Sequence, residues 1–282
     1  MAAIRVDVLG VTVDAQTLSD AVDRIADWVE RGHADYVCVT GVHGVMESQD
    51  DPALRLIHND AGMVTTDGMP LVWLSRRRAP PGAAVERVYG PDLMDAVFAR
   101  SETAGWGHFL FGASVDTLER LQAHLAERYP RARIVGALSP PFRTVDAADD
   151  AVITEAIAAA HPDIVWVGLS TPRQERWMAA HVGRVHAPVL VGVGAAFDFH
   201  AGVKRQAPRW IQRAGLEWAF RMASEPRRLT GRYARNNPRF IWMVARQGLR
   251  SRSQRIRRRA ITSPQSTQPD HNTWQRRHHL EK

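Results

Sequence analysis

Two short apolar runs near the middle of the chain restrict its architecture more than any other feature. Ile164 to Leu169 and Val189 to Val193 have the length and β-branched content of strands buried on both faces, and the helix-like run TPRQERWMAAH lies between them. That is the pattern of a βαβ unit. Thr171 stands where a helix cap is expected and Pro172 where a first helical residue tolerates proline. Gln174 and Glu175 then fall in the first helical turn, at the carboxyl edge where open α/β sheets bind ligands. After the second run come GVGAAFDFHAG and then Lys204, Arg205 and Arg209. These cations suit an anionic ligand, or else belong to an ordinary solvated helix.

With 282 residues and 45% hydrophobic content, the chain is long enough for one large α/β domain plus an appendage. It contains no apolar run of membrane-spanning length, and MAAIRVDVLG does not read as a secretory signal, so a cytoplasmic chain is expected. The single Cys38, in YVCVT, excludes an internal disulfide and reads as an inert core residue. The net charge of +7 hides an asymmetry. From Arg221 to Lys282 there are sixteen Lys and Arg against three Asp and Glu, which leaves 21 against 27 for the rest. An acidic body with a basic arm points to a polyanionic partner, either an anionic membrane surface or nucleic acid.

Along the chain, strands and helices alternate. Ile4 to Val13 suggests a hairpin around Gly10, and Thr17 to Asp20 a capping box opening a helix that stops at Gly32. Tyr36 to Thr40 reads as a buried strand, Pro52 to His58 as a short helix and Met63 to Thr65 as a strand, whereas the pattern assigns no element to GVHGVMES. The strand at 63 leads into Thr66, Asp67 and Gly68, which places a carboxylate at the ligand-binding edge. Asp67 is either a helix cap or turn residue, or a catalytic acid or base. A loop rich in Pro and Gly, containing Arg87, precedes a helix opened by Pro91 and Asp92. HFLFGAS is a strand closing on Gly112 and Ser114, where backbone amides suit a phosphate and a plain small-residue turn serves equally well. Further strand and helix pairs follow to His161, so this half looks like a nucleotide-binding βαβαβ arrangement. GVGAAF carries Phe197 where a dinucleotide fingerprint has its third glycine. No Walker loop, hydrolase elbow, HExxH pair or Asp-x-Asp triplet occurs, so neither a metal nor another cofactor is expected.

The ordered set TTDGMPLVW, ERVYGPDL, FLFGAS, DIVWVGLSTPRQERW, VGVGAAFDFHAG, RQAPRWIQRAGLEWAFR and EPRRLTGRY resembles the WecG/TagA/CpsF family of bacterial glycosyltransferases, over roughly Val6 to Tyr233. The resemblance implies an inverting, metal-independent transfer of a sugar, of N-acetylmannosamine type, from a UDP-sugar to a polyprenyl-diphosphate-linked sugar at the cytoplasmic membrane face. It also implies an α/β, Rossmann-like, mostly parallel sheet flanked by helices, with a C-terminal helical appendage. The expected divisions are a catalytic core at 1–208, an appendage at 209–247 and a basic tail without fixed structure at 248–282. Position by position, Asp67 matches the catalytic base, Gln174 a substrate-contacting glutamine, Arg87 an active-site arginine, and Arg221 and Arg228 appendage arginines that meet the diphosphate. Thr40, Gly112 and Pro172 lie in the matching segments as candidate substrate contacts. One departure is that Thr40 is followed by Gly41 and Val42, where the family often has Thr-x-Asn.

Such a transfer needs one base for the acceptor hydroxyl and positive charge for the departing diphosphate, roles for which Asp67 and arginine forks are suited. Trp210, Trp218, Phe220, Phe240, Trp242 and Met243, interleaved with arginines, suit a peripheral position on an anionic membrane. A nucleotide-sensing core with an arginine-rich arm on nucleic acid is the less favoured alternative. The oligomeric state stays open, a homo-oligomer included.

Overall fold

The structure, a computed structural model, describes residues 3–141, 143 and 145–262, with the side chains of residues 228 and 250–262 outside the description. The chain falls into two compact units, one ending at Ile241 and a smaller one beginning at Trp242. The first unit opens with β1 (Arg5–Val8) and β2 (Val11–Asp14), the hairpin expected around Gly10, with Val6 opposite Val13. α1 (Leu18–Arg31) starts on a complete capping box of Thr17 and Asp20 and ends at Gly32, both as expected. There follow β3 (Asp35–Thr40), α2 (Val42–Asp50), α3 (Pro52–Asp60), β4 (Met63–Thr66), α4 (Met69–Arg78) and α5 (Gly90–Ala104). GVHGVMES, to which the pattern assigns no element, is most of α2. Then come β5 (Gly107–Gly112), α6 (Val115–Arg128), β6 (Arg133–Leu138), α7 (Ala147–Ala159), β7 (Ile164–Gly168), α8 (Arg173–His181), β8 (Val189–Gly192) and α9 (Ala196–His200).

β3 to β8 form one six-stranded sheet in the order β4-β3-β8-β7-β5-β6, and every pairing in it is parallel. This is the α/β, Rossmann-like architecture expected from the βαβ pattern. A parallel sheet has to be covered on both faces, and its strands show why. Val37, Leu110, Trp166 and Val191 point into a core built with α1, α5, α6 and α9. Their neighbours face the other way, where α8 packs on β3, β7 and β8 and the Trp177 ring lies 4.6 Å from that of Phe111. Cys38 is buried and unpaired, as its setting in YVCVT implies.

One chain of polar groups inside this core is fully matched. Trp166 Nε1 donates to His108 Nδ1 at 3.0 Å, so the His108 proton sits on Nε2, 2.7 Å from Ser101 Oγ, and Ser101 in turn donates to the Val97 carbonyl. Burial holds the His108 pKa down at about 3, which keeps the ring neutral.

The C-terminal helices are α10 (Arg209–Arg213), α11 (Glu217–Ser224) and α12 (Pro226–Thr262). Up to Ile241, α12 is held on α2 by a two-pronged pair from Arg239 to Asp50, at 2.6 and 2.7 Å, with Leu229, Asn236 and Phe240 buried. Phe240 therefore belongs to the core, not to a membrane-facing aromatic set. In the second unit the Arg246 guanidinium lies 5.2 Å from the Trp242 ring, and Trp242 and Leu249 are exposed. Residues 263–282 of the expected tail lie outside the described residues. No described helix is long and apolar enough to cross a membrane.

Where β5 and β7 end side by side, Gly112 adopts φ 125° opposite Gly168, and a Cβ on Gly112 would stand 2.7 Å from the Gly168 backbone. Gly112→Ala is expected to lower stability by about 3 kcal/mol or more, combining a backbone conformation reserved for glycine with a clash against main chain. Gly32→Ala, at φ 63° with open space around it, should cost only about 1 kcal/mol. Urea unfolding of the two variants measures the difference, and equal losses would contradict the close approach.

Candidate functional site

The carboxyl ends of β3, β4 and β8 meet around Asp67. Its backbone N–H donates to the Thr40 carbonyl at 3.0 Å, extending the β3–β4 ladder by one residue. α4 is capped by Gly68 without any side-chain bond, so the Asp67 carboxylate is not spent on a helix terminus. Instead, Oδ1 accepts a long bond of 3.4 Å from the Gly90 N–H at the start of α5, and Oδ2 faces Gly41, where a Cβ would stand 3.5 Å away. Burial pushes the Asp67 pKa up to about 6. Arg87, the Gly90 N–H and Arg221 pull it down, while Glu217 adds to the rise.

Arg87 fills the space between the sheet edge and the C-terminal helices. Its Nε donates to the Asp67 carbonyl, one terminal nitrogen to Gln212 Oε1 at 3.0 Å and the other to Glu217 Oε2 at 2.5 Å. Its guanidinium also lies 3.8 Å from the centre of the Tyr89 ring, and the Tyr89 hydroxyl donates to Glu217 Oε1 at 3.2 Å. Burial works against its charge, but Asp67 and Glu217 outweigh that and raise its pKa. Arg87 is thus near the Asp67 carboxyl but fully engaged with protein groups.

Arg221, on α11, is differently placed. Its charge acts on Asp67, Tyr89, His43 and Tyr233, its guanidinium is 5.7 Å from the Phe199 ring, and no hydrogen bond or ion pair among the described residues engages it. His43, at the start of α2, has its pKa lowered to about 4 by burial and by Arg232 and Arg221, so it is neutral at pH 7. Arg228 lies on α12, and its side chain is outside the described residues. Lys204 pairs with Asp198 at 2.6 Å and Arg209 with Asp92 at 2.8 Å, so these two cations are committed within the fold.

The β7–α8 turn differs from the simple cap expected for it. The helix begins at Arg173 with Pro172 at the cap position, and the Thr171–Pro172 peptide bond is cis. The Thr171 hydroxyl donates to Glu175 Oε1 at 2.8 Å instead of accepting from a helix N–H. Gln174 is buried in the first turn, as expected, against Gly192 and Gly194 of the β8 loop. Thr40 has its hydroxyl turned inward to His58 Nε2 at 3.1 Å, so only its carbonyl reaches Asp67.

The fold therefore gathers Asp67, Arg87 and Arg221 at one edge, with Gln174 beneath the adjoining loop and Gly112 farther along the sheet. Sequence reasoning missed Glu217, Tyr89, Gln212 and His43. Tyr89 lies inside ERVYGPDL and Glu217 inside GLEWAFR, so the motifs held them, but only the bonds to Arg87 distinguish them from neighbouring residues. Together these groups offer one base of elevated pKa and an uncommitted cation about a shared edge, which suits deprotonation of a hydroxyl opposite an anionic leaving group.

Comparison with known proteins bears on that chemistry. The model of the glycosyl transferase WecG/TagA/CpsF family matches residues 6–254. Similar curated proteins include the N-acetylglucosaminyldiphosphoundecaprenol N-acetyl-beta-D-mannosaminyltransferases of Staphylococcus aureus strains MW2 and COL. Each is 27% identical over 244 residues, covering 86% of this chain and 92% of the relative.

A carboxyl whose folded pKa is raised favours the protonated fold: its stabilising effect is complete below the unfolded value near 3.8 and is lost as pH rises through about 6. Asp67→Asn should therefore raise the melting temperature at pH 8 and change it little at pH 4. Thermal melts at the two values test this, and an equal change at both would show that Asp67 ionisation is not what the burial opposes.

Proposed function

The chain belongs to the glycosyl transferase WecG/TagA/CpsF family, and from that premise we propose that it moves an N-acetylmannosamine-type sugar from a UDP-sugar to a polyprenyl-diphosphate-linked sugar, with inversion at the anomeric carbon. The observation that carries the mechanism is the Asp67 carboxyl, raised to about 6 at the carboxyl edge of a parallel sheet. At pH 7 such a group is roughly ten to one ionised, yet it is a stronger base than an ordinary aspartate. The names of the relatives supply the sugar and the acceptor.

In this mechanism the Asp67 carboxylate takes the proton of the acceptor hydroxyl as its oxygen attacks the anomeric carbon. The bond from that carbon to the diphosphate breaks, and UDP leaves with the bonding electrons. Arg221 meets the developing charge, joined by Arg228 from α12, so that guanidinium forks rather than a divalent ion neutralise the leaving group. Arg87 holds the backbone of Asp67 in place and, through Glu217, holds α11 and its Arg221 over the edge.

The acceptor's lipid calls for a position at the cytoplasmic membrane face. Supporting this, Trp73, Trp210 and Leu216 are exposed on the unit that carries the site, and a Cβ on Gly215 would touch the Trp73 ring, which places α4 beside the α10–α11 turn. Exposed Arg76, Arg77 and Arg213 belong to the same two segments, a mixture suited to the headgroup boundary of an anionic leaflet.

The test is UDP release from UDP-N-acetylmannosamine in the presence of a soluble N-acetylglucosaminyl-diphosphate-lipid analogue. Wild type should turn over with excess chelator present, and Asp67→Asn should lower kcat by roughly 10²-fold or more. kcat/KM should fall on the acid side of about pH 6 in wild type, a limb absent from Asp67→Asn. Near wild-type turnover by that variant would remove Asp67 from the chemistry. Separately, Arg221→Ala should cut kcat by roughly tenfold or more while leaving the fold intact, and a strict need for magnesium would replace arginine in this role.

A further inference from the structure

Beneath the loop that follows β8 lies a second carboxyl, Glu175, fully buried beside Gln174, which is 2% exposed. Glu175 Oε1 accepts from Thr171 Oγ1 at 2.8 Å and from Gln174 Nε2 at 3.1 Å. Gln174 Oε1 and Glu175 Oε2 have no hydrogen-bond partner among the described residues. Burial holds the Glu175 carboxyl above the ordinary range, against hydrogen bonds from Thr171, its own backbone and Gln174.

An amide has one end that donates and one that accepts. Turning the Gln174 amide over would set its oxygen against Glu175 Oε1, acceptor against acceptor, so the carboxyl determines which end is left. The end left is the oxygen. A Cβ on Gly192 would come within 3.1 Å of Gln174 Nε2, and one on Gly194 within 3.5 Å of Oε1, so the amide occupies room that only glycine concedes. This is the loop of the reacting edge: a Cβ on Gly90 would stand 3.2 Å from the Val193 carbonyl, and the Gly90 N–H is the one bonded to Asp67. Buried carbonyl oxygens are rarely left without a donor, and this one borders a site that must bind sugars.

We propose that Glu175 is a positioning residue that fixes the Gln174 amide, committing Gln174 Oε1 to accept a hydrogen bond from a hydroxyl or amide N–H of a bound sugar. This part of the site then selects a neutral hydrogen-bond donor and disfavours a phosphate oxygen, which is itself an acceptor. The inference rests on the glycosyl-transfer reading above and adds to it the polarity of one sugar contact. Buried groups that expect a substrate donor discriminate strongly when the donor or the acceptor is removed.

The experiment uses the full chain, UDP-N-acetylmannosamine and the soluble acceptor analogue, and records kcat, the KM of each sugar substrate, inhibition by UDP and the melting temperature. Gln174→Met and Glu175→Met should each raise the KM of one sugar substrate by about tenfold or more, with UDP inhibition unchanged. The KM that rises tells whether the donor sugar or the acceptor sugar is held. Glu175→Gln keeps a carbonyl that accepts from Gln174 and Thr171, and should stay within about threefold of wild type. If Glu175→Met does not fold, Glu175→Gln combined with Thr171→Val, which frees the new amide to turn, should show the same rise. Unchanged KM values in Gln174→Met, a Glu175→Met (or Glu175→Gln with Thr171→Val) without effect where Gln174→Met has one, or a parallel loss of UDP inhibition would each overturn the proposal. Absence of turnover by the wild type overturns the transfer reading and this inference with it, whereas a wild type that turns over alongside an unaffected Gln174→Met overturns the inference alone.

Discussion

One buried guanidinium stands between two carboxylates, and the site depends on it. Arg87 reaches from the loop before α5 to Glu217, 130 residues later in the chain, at 2.5 Å, while its Nε holds the Asp67 carbonyl. With both partners about 15% exposed, removing either would leave a charge stranded in a poorly solvated place, a far larger penalty than the loss of a surface pair. The pair also joins the C-terminal helices to the sheet edge. Through it α11, which carries Arg221, is tied to the backbone of Asp67.

The same charge count explains the state of the Asp67 carboxyl. Asp67 and Glu217 share one close cation, so burial is only partly offset and the Asp67 pKa stays near 6. Without the opposing cations, burial would carry this carboxyl higher still. Arg221 completes the balance only in part. This residual imbalance is of the kind that binding sites retain at some cost to stability. His43 contributes no charge near neutrality, because burial and two neighbouring arginines hold its pKa near 4, so of these two groups it is Asp67 that titrates between pH 5 and 7.

Geometry at this edge follows from the parallel sheet. Each strand ends at the same side, and the turns into α4, α5, α8 and α9 must pass one another there. Gly112, Gly168 and Gly192 answer that crowding, since a Cβ at any of them would come within 3 Å of backbone or a core side chain. Into the room left at Gly192 fits the Gln174 amide, held by a carboxyl that solvent does not reach.

The sequence by itself determined most of the elements and their order, though not α2, whose GVHGVMES carries no local helix signal. β-branched runs, the Thr17 and Asp20 capping box and the stop at Gly32 are local signals whose physics is complete within a few residues, and so is the arrival of Asp67 at a strand end. The family motifs were legible as well, and they contain Asp67, Arg87, Gln174 and Arg221. What only the tertiary structure decided is which of these groups are free. Arg87 is committed to Glu217 and Gln212, Lys204 and Arg209 are neutralised by Asp198 and Asp92, Thr40 turns its hydroxyl inward, and Thr171 serves Glu175 instead of a helix N–H. Such pairings join residues as far apart as 193 positions, as between His43 and Asn236, and they are set by packing and desolvation, which no local spacing encodes.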